Sequence, residues 1–398
     1  MIARPLTTIF VVQALMTMAS YGLAVIIPDA AGDIGLSPAA VGYLTGSMFL
    51  AAMLTGPATP FLIRAIGATR VFQWLVALIA FAAFALIAAH PVLAFVGAIV
   101  IGVATGPMNP SGSHVLARAA PGRWLPLVFS IKQCGTPAGG MLAGAILPLL
   151  TLEFGWQIAL AVLPAGACVL ILIAPLGRLG TRTDEAPATG HVLSEMLGAL
   201  RAATATPALR QVCLAGACLG ACQLSLASYY VVYLWSNAGM STMEAGRTFV
   251  VFHIVGIIAR IALGAIAEQF VATRTLLALL GAAMALGIVG AGFIDGDSGT
   301  LYIYAITALL GVSANGWVGL FFAELARLVP NQAALVAGGG QFVMYLGIVL
   351  GPILFATLLT STGSYPLCFA VFTGVALVTA LPLLTARSPA QGRVKNQQ

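Results

Sequence analysis

Charge is what this sequence has least of. Only 7% of its 398 residues are Asp, Glu, Lys or Arg, while 60% are hydrophobic, and the mean hydropathy is +1.04. A water-soluble domain carries roughly a quarter of its residues as charges, so a soluble fold is excluded. Period-2 alternation is missing too. The apolar stretches run on without interruption, which excludes a transmembrane barrel. Helices crossing a bilayer remain, because in lipid each backbone N–H and C=O must be satisfied within the segment. The six cysteines form no C-x-x-C pair and no His/Cys cluster with metal spacing, so no disulfide framework, metal or other cofactor is expected. Cys218 and Cys222 share a helix face and read as small core residues. The net charge of +6 does not point to nucleic acid, since the basic residues stand singly in short loops. The clustered Asp of intramembrane transferases and the Ser/His/Asp sets of proteases are also lacking, so the chain does not read as an enzyme.

Breaks at Pro, Gly and charged clusters divide the chain into twelve predicted spans: 7–28, 38–63, 71–89, 92–117, 126–150, 156–177, 208–235, 243–267, 274–294, 300–326, 333–360 and 365–385. Most exceed the ~20 residues that cross ~30 Å of hydrocarbon. The first is read as an uncleaved helix, its apolar stretch being too long for a signal peptide. Arg4, Arg64, Arg70, Arg178, Arg274, Arg327 and the basic tail fall on one side; Asp29, Asp33, Glu153, Glu244, Asp295 and Asp297 fall on the other, with Arg247 its only basic residue. An excess of Lys and Arg marks the cytoplasmic side, which places both termini inside, as an even number of spans requires. The expected division is a six-helix bundle over 1–177, a cytoplasmic linker over 178–207 with one amphipathic surface helix, and a second bundle over 208–398.

The two halves resemble each other in register. "GLSPAAVG" (35–42) aligns with "GMSTMEAG" (239–246), "GATR" (67–70) with "VATR" (271–274), and "GVATGPMNPSGSHVLARAAP" (102–121) with "GVSANGWVGLFFAELARLVP" (311–330). Tyr21 then pairs with Tyr229, Gln133 with Gln341 and Gly139 with Gly347.

Two parallel six-helix repeats joined by a polar linker resemble the major facilitator superfamily over essentially the whole chain. Its loop signature G-x-x-x-D-(R)-x-G-x-x-R is met in part. In "PFLIRAIGATR" (60–70) Gly67 and Arg70 fit while Arg64 replaces the acid; in "GAIAEQFVATR" (264–274) Gly264, Glu268 and Arg274 fit. The resemblance implies an all-α membrane protein of two pseudo-symmetric bundles working by alternating access, with an inner gate drawn from Glu268, Arg274, Arg64 and Arg70. "GTPAGG" (135–140) is similar to a displaced antiporter signature, and the fourth span lacks the arginine of drug/proton antiporters. "GPMNPSGSH", "SIKQCGTPAGG" and the Arg260-x-x-x-Gly264-x-x-x-Glu268 spacing are loosely similar to the cyanate-permease and monocarboxylate-carrier branches, where the arginine holds a substrate carboxylate.

The few polar groups inside the spans carry the functional expectation. A charge at helix centre costs roughly 2.5–3.5 kcal/mol, yet Lys132 lies ~9 Å inside the fifth span and Arg260 ~12 Å inward from Glu268 in the eighth. No carboxylate occupies the middle of a span, so a substrate anion is the natural counter-charge for both cations. The alternatives are that Lys132 snorkels to the headgroups and that Arg260 pairs with Glu268 or Glu324. Tyr21, Tyr229, Asn109, Gln133, Asn315 and Gln341 are candidate ligands that orient the anion, with Phe49, Phe252 and Trp317 bounding its size. His114 and Glu324 are candidate gate residues, and His253 is a candidate for coupling to a proton. The expected protein is a monomeric secondary transporter of the bacterial inner membrane, moving a small organic or inorganic, carboxylate-like anion by alternating access, either by symport with a proton or sodium or without coupling. The alternative is proton-coupled export of a drug or amphipathic metabolite.

Overall fold

A computed structural model describes residues 3–119, 125–173, 192–329 and 332–385. Every regular element among them is helical. The first half runs Ala3–Ile34, then a second span of Val41–Thr55 and Thr59–Ile66 joined by a 3₁₀ turn, then Ala68–Ile87, Pro91–Ala119, a fifth span of Leu125–Gln133 and Gly135–Phe154, and Trp156–Ile173. The second half runs Pro207–Asn237, Thr242–Gln269, Thr273–Ala291, Thr300–Leu328, Ala333–Thr362 and Tyr365–Thr385. A separate helix, Val192–Ala203, lies in the linker. Ten of these spans are long and apolar enough to cross a membrane, and the sixth and twelfth are shorter apolar helices that complete the set. The chain is thus a multi-pass membrane protein.

The expected spans are present, with two refinements. The second span is not one helix to residue 63. It breaks at Gly56–Ala58, where Pro57 removes a backbone donor. The turn into the third span is made by Gly67 at φ 82°, a conformation open to glycine and strained for other residues.

Small residues let the backbones meet. In the first half Gly102 lies against the Met48 carbonyl, and in the second Gly311 lies against the Phe252 carbonyl. Gly139 against Ala14 is matched by Gly347 against Ala217. The sequence repeat is therefore also a repeat of helix contacts: spans 2 and 4 pack as spans 8 and 10 do, and spans 1 and 5 as spans 7 and 11. Without a hydrophobic force between helices in lipid, such close approach supplies the dispersion contact that holds each bundle.

The halves meet asymmetrically along the membrane normal. At the end remote from the linker helix they are sealed. Gly42 backs onto the Pro352 carbonyl, and Gly246 and Gly144 face one another's carbonyls at 2.6 and 2.7 Å from ideal Cβ positions. The Tyr229 hydroxyl donates to the Ala39 carbonyl at 2.6 Å and accepts from the Gly42 N–H at 3.1 Å. Ser228 donates to Thr45 at 3.1 Å. At the linker end the halves part around a vestibule of about 480 Å³, walled by the second and fourth spans, the eleventh span and the linker helix through Met196 and Ala199.

Candidate functional site

A second cavity of about 170 Å³ lies between the halves, deeper than the vestibule, and Tyr345 lines both. Phe49 stands beside Tyr345 across the interface, ring centroids 6.5 Å apart. The wall includes Arg260, Tyr21, Asn109, Gln13, Gln133, Thr136, Gln223 and Trp317 among apolar neighbours such as Met16, Met108 and Met344. Among the described residues no Asp or Glu belongs to this wall.

Arg260 is held by backbone oxygens from both halves. Its Nε and Nη2 donate to the Asn315 carbonyl at 3.1 and 3.0 Å, and its Nη1 donates to the Gln133 carbonyl at 3.0 Å. The local sequence explains why that carbonyl is available. In a helix the C=O of residue 133 would accept from the N–H of residue 137. Position 137 is proline and has no N–H. The fifth span breaks there, between Gln133 and Gly135, and the orphaned oxygen takes the guanidinium of the opposite half. A guanidinium carries five N–H groups. Three are committed, so two remain for the cavity.

Lys132 is one residue from Gln133 but faces elsewhere. It is buried, and its Nζ donates to the Asn109 carbonyl at 2.8 Å, to Asn109 Oδ1 and to Ser113 Oγ at 2.8 Å. Its stem lies beside the fourth span at Gly112, where a Cβ would meet its Cε at 3.0 Å. Expected to contact a ligand directly or to snorkel, Lys132 is placed in this internal site and is not among the described residues of the cavity wall. The expected repulsion between Lys132 and Arg260 is met by neutral oxygens around each.

The paired tyrosines also separate. Tyr21 lines the cavity. Tyr229 does not share it; its hydroxyl is spent on the Ala39–Gly42 seam at the sealed end. Asn109 and Gln133 lie in the cavity wall, whereas Gln341 lines the vestibule. Asn315 serves through its carbonyl, while its Nδ2 turns back to the Gly311 carbonyl at 3.3 Å. Of the groups expected to bound ligand size, Phe49 and Trp317 line the cavity, and Phe252 is in the core.

Glu324, fully buried, accepts from Arg327 Nε at 2.8 Å and Nη2 at 2.6 Å, so Arg260 does not depend on it. Arg274 is buried within its own half, donating to the Leu383 carbonyl at 3.1 Å and to Gln211 Oε1. It ties spans 9, 12 and 7. Arg64 and His114 are half-buried and Arg70 is exposed. The side chain of Glu268 lies outside the described residues, so the Glu268–Arg274 gate does too. His253 is buried with both ring nitrogens unpartnered. It stacks on Tyr21 at 5.6 Å, and its edge fills the space where Gly140 has no Cβ.

Sequence reasoning missed Gln13, Thr136, Gln223 and Tyr345. Gln13 Nε2 donates to Thr136 Oγ1 at 2.7 Å and reaches Gln133 Oε1 at 3.5 Å. Trp317 Nε1 donates to Gln223 Oε1 at 3.0 Å. A long amide in an apolar span was the available signal, since buried amides need partners.

Comparison with known proteins agrees with this architecture. The chain is similar to an uncharacterized MFS-type transporter of Mycobacterium tuberculosis (24% identical over 378 residues, 92% of this chain and 81% of the relative). It is also similar to the transcription regulatory protein OpdE of Pseudomonas aeruginosa (26% over 302 residues, 74% and 71%). Among solved structures, the nucleoside transporter NupG (D323A mutant) superposes with a TM-score of 0.79 at 13% identity, over 96% of this chain and 99% of that one, which speaks to the fold. The family model described as Major Facilitator Superfamily matches residues 9–352. Two helical repeats meeting around a cavity that opens toward one end only therefore have a family to which they belong: this chain is a member of the Major Facilitator Superfamily, a secondary transporter.

Proposed function

We propose that this transporter carries a small carboxylate-like anion across the bacterial inner membrane by alternating access. One observation carries the reading: Arg260 keeps two N–H groups uncommitted in a cavity whose described wall holds no carboxylate. A guanidinium at mid-membrane is costly without a counter-charge, and its uncommitted N–H groups can donate to the oxygens of a carboxylate. Tyr21, Asn109, Gln133 and Gln223 surround it with hydrogen-bonding groups, and Phe49 and Trp317 limit the size of the cargo.

The halves over 1–177 and 208–398 would rock about this cavity, joined by the 178–207 segment. The one-sided arginines support a cytoplasmic placement for that segment and both termini, and the vestibule then opens to the cytoplasm. Coupling to a proton or sodium belongs to the same proposal. His253 is the proton-coupling candidate, supported by its unpartnered ring against Tyr21. A second reading, export of an amphipathic metabolite, draws support from the apolar vestibule wall of Met53, Met196, Leu335 and Phe342.

The test is a thermal-shift screen of purified protein against carboxylates, inorganic oxyanions and hydrophobic cations, followed by proteoliposome uptake with and without proton or sodium gradients. Stabilisation and uptake of a carboxylate are expected. Stabilisation by hydrophobic cations alone would overturn the anion reading in favour of export.

A further inference from the structure

Two amides in the cavity wall have neighbours that can only donate. Lys132 stands behind Asn109, buried, and among the described residues it is not part of the wall. Its Nζ meets three oxygens: the Asn109 carbonyl, Asn109 Oδ1 and Ser113 Oγ. An ammonium has three N–H groups and no lone pair, so these three oxygens fill it. Turning the Asn109 amide over would set an NH₂ group against an ammonium. With Oδ1 tied to Lys132, the end of Asn109 left for the cavity is Nδ2. In the other half the indole N–H of Trp317 holds Gln223 Oε1 at 3.0 Å. Indole is also a donor only, so Gln223 too turns its NH₂ end away from its neighbour. The two uncommitted N–H groups of Arg260 add to these donors, in a wall that also holds the unpartnered Oε1 of Gln13.

We propose that Lys132 is a positioning residue for selectivity. It does not touch the cargo. It locks the Asn109 amide with its donor end toward the cavity, so that the site reads oxygen atoms that carry no proton. The inference rests on the anion reading above and narrows it: the cargo is a fully deprotonated carboxylate, discriminated from its neutral amide of the same shape. An amide free to turn over serves either a donor or an acceptor. A locked one leaves a ligand NH₂ facing another donor, unpaired. Buried unpaired polar groups are what give a hydrogen-bonding site its power to reject a near-isostere.

The experiment uses the full-length chain in proteoliposomes and a panel of propionate, lactate, succinate and benzoate, each with its primary amide. The quantity read is the ratio of carboxylate to amide affinity, in the unaltered protein, Lys132→Met, Asn109→Ala and the double variant. Each single change is expected to lower the ratio about tenfold or more, and the double change is expected to lower it no further, because Lys132 acts through Asn109. A bare effect of the Lys132 charge on anion attraction would instead add to the loss from Asn109→Ala, and that additivity overturns the proposal. An unchanged ratio in Lys132→Met also overturns it. Should these variants fail to fold, Asn109→Asp supplies the same test. It keeps an oxygen on Lys132 and removes the donor, so a folded protein with a collapsed ratio is expected, and an unaltered ratio refutes. If no carboxylate on the panel binds the unaltered protein, the anion reading falls and takes this inference with it. If carboxylates bind but the ratio ignores Lys132, only the positioning role is lost.

Discussion

Gly246→Ala is the sharpest test of how the far end closes. A Cβ at this position would lie 2.6 Å from the Gly144 carbonyl oxygen and 2.7 Å from Pro148 Cγ. Carbon–oxygen contacts settle at ~3.3–3.6 Å and carbon–carbon contacts at ~3.5–4.0 Å. The fifth and eighth spans must therefore separate locally by roughly 0.7 Å or more to admit one methyl group. Overpacking of this kind costs about 1–3 kcal/mol. The cost falls on the state with the far end sealed, because opening that end removes the contact. The balance between the two states then shifts by a factor of about 5–150 toward far-end-open. The assay is the labelling rate of a cysteine at Tyr21, in a background stripped of native cysteines, by a membrane-impermeant maleimide added at the far end. Labelling should accelerate within that range, and Gly42→Ala, the repeat-related change against Pro352, should act in the same direction. A protein that melts earlier but labels at an unchanged rate would show that Gly246 serves packing alone, and the gating argument would be refuted.

Arg260→Lys keeps the charge but loses the planar fork, so carboxylate affinity should fall about 10–150-fold, the worth of roughly 1.5–3 kcal/mol of charged hydrogen bonding; affinity within threefold of the unaltered protein contradicts the assignment. Tyr229→Phe leaves the Ala39 carbonyl and Gly42 N–H without their partner, a loss of about 1–3 kcal/mol from the sealed far end, and should raise the same far-end labelling rate; no rise would mean the seam does not depend on this hydroxyl. Gly339→Val places a side chain where the Ala199 carbonyl now sits, and should lift the linker helix from the eleventh span. Cross-linking between cysteines at Met196 and Leu335 should then weaken by several-fold, while an unchanged yield speaks against the docking.

Much of the architecture was legible because the bilayer permits so few alternatives. Continuous apolar runs give the spans, and the repeat gives the halves. Arg260 was legible for the same reason: its insertion cost demands a counterpart. What sequence supplies for each residue is depth, and what it withholds is azimuth. Consecutive helical residues point about 100° apart, so Gln133 faces the cavity while its neighbour Lys132 faces the fourth span. Tyr21 and Tyr229 share a depth in their repeats, yet only the first borders the cavity. Their difference lies in what each meets: Tyr229 finds the Ala39 carbonyl and Gly42 N–H beyond the first span, whereas Tyr21 packs on Phe249 and His253. Tyr345 was invisible because its place depends on how far the halves have parted.

The link from Arg260 to the Gln133 carbonyl joins the halves between their sealed end and their open end. When two rigid bodies rock on one another, displacement grows with the lever arm. A swing that tears the Tyr229–Ala39 seam apart therefore hardly stretches a bond near the fulcrum. On the rocking motion proposed above, the missing N–H at Pro137 would do more than free an oxygen: it would mount the guanidinium near the pivot. An arginine carried there would travel least as the halves exchange places, and would offer its uncommitted N–H groups to the proposed cargo from either face of the membrane.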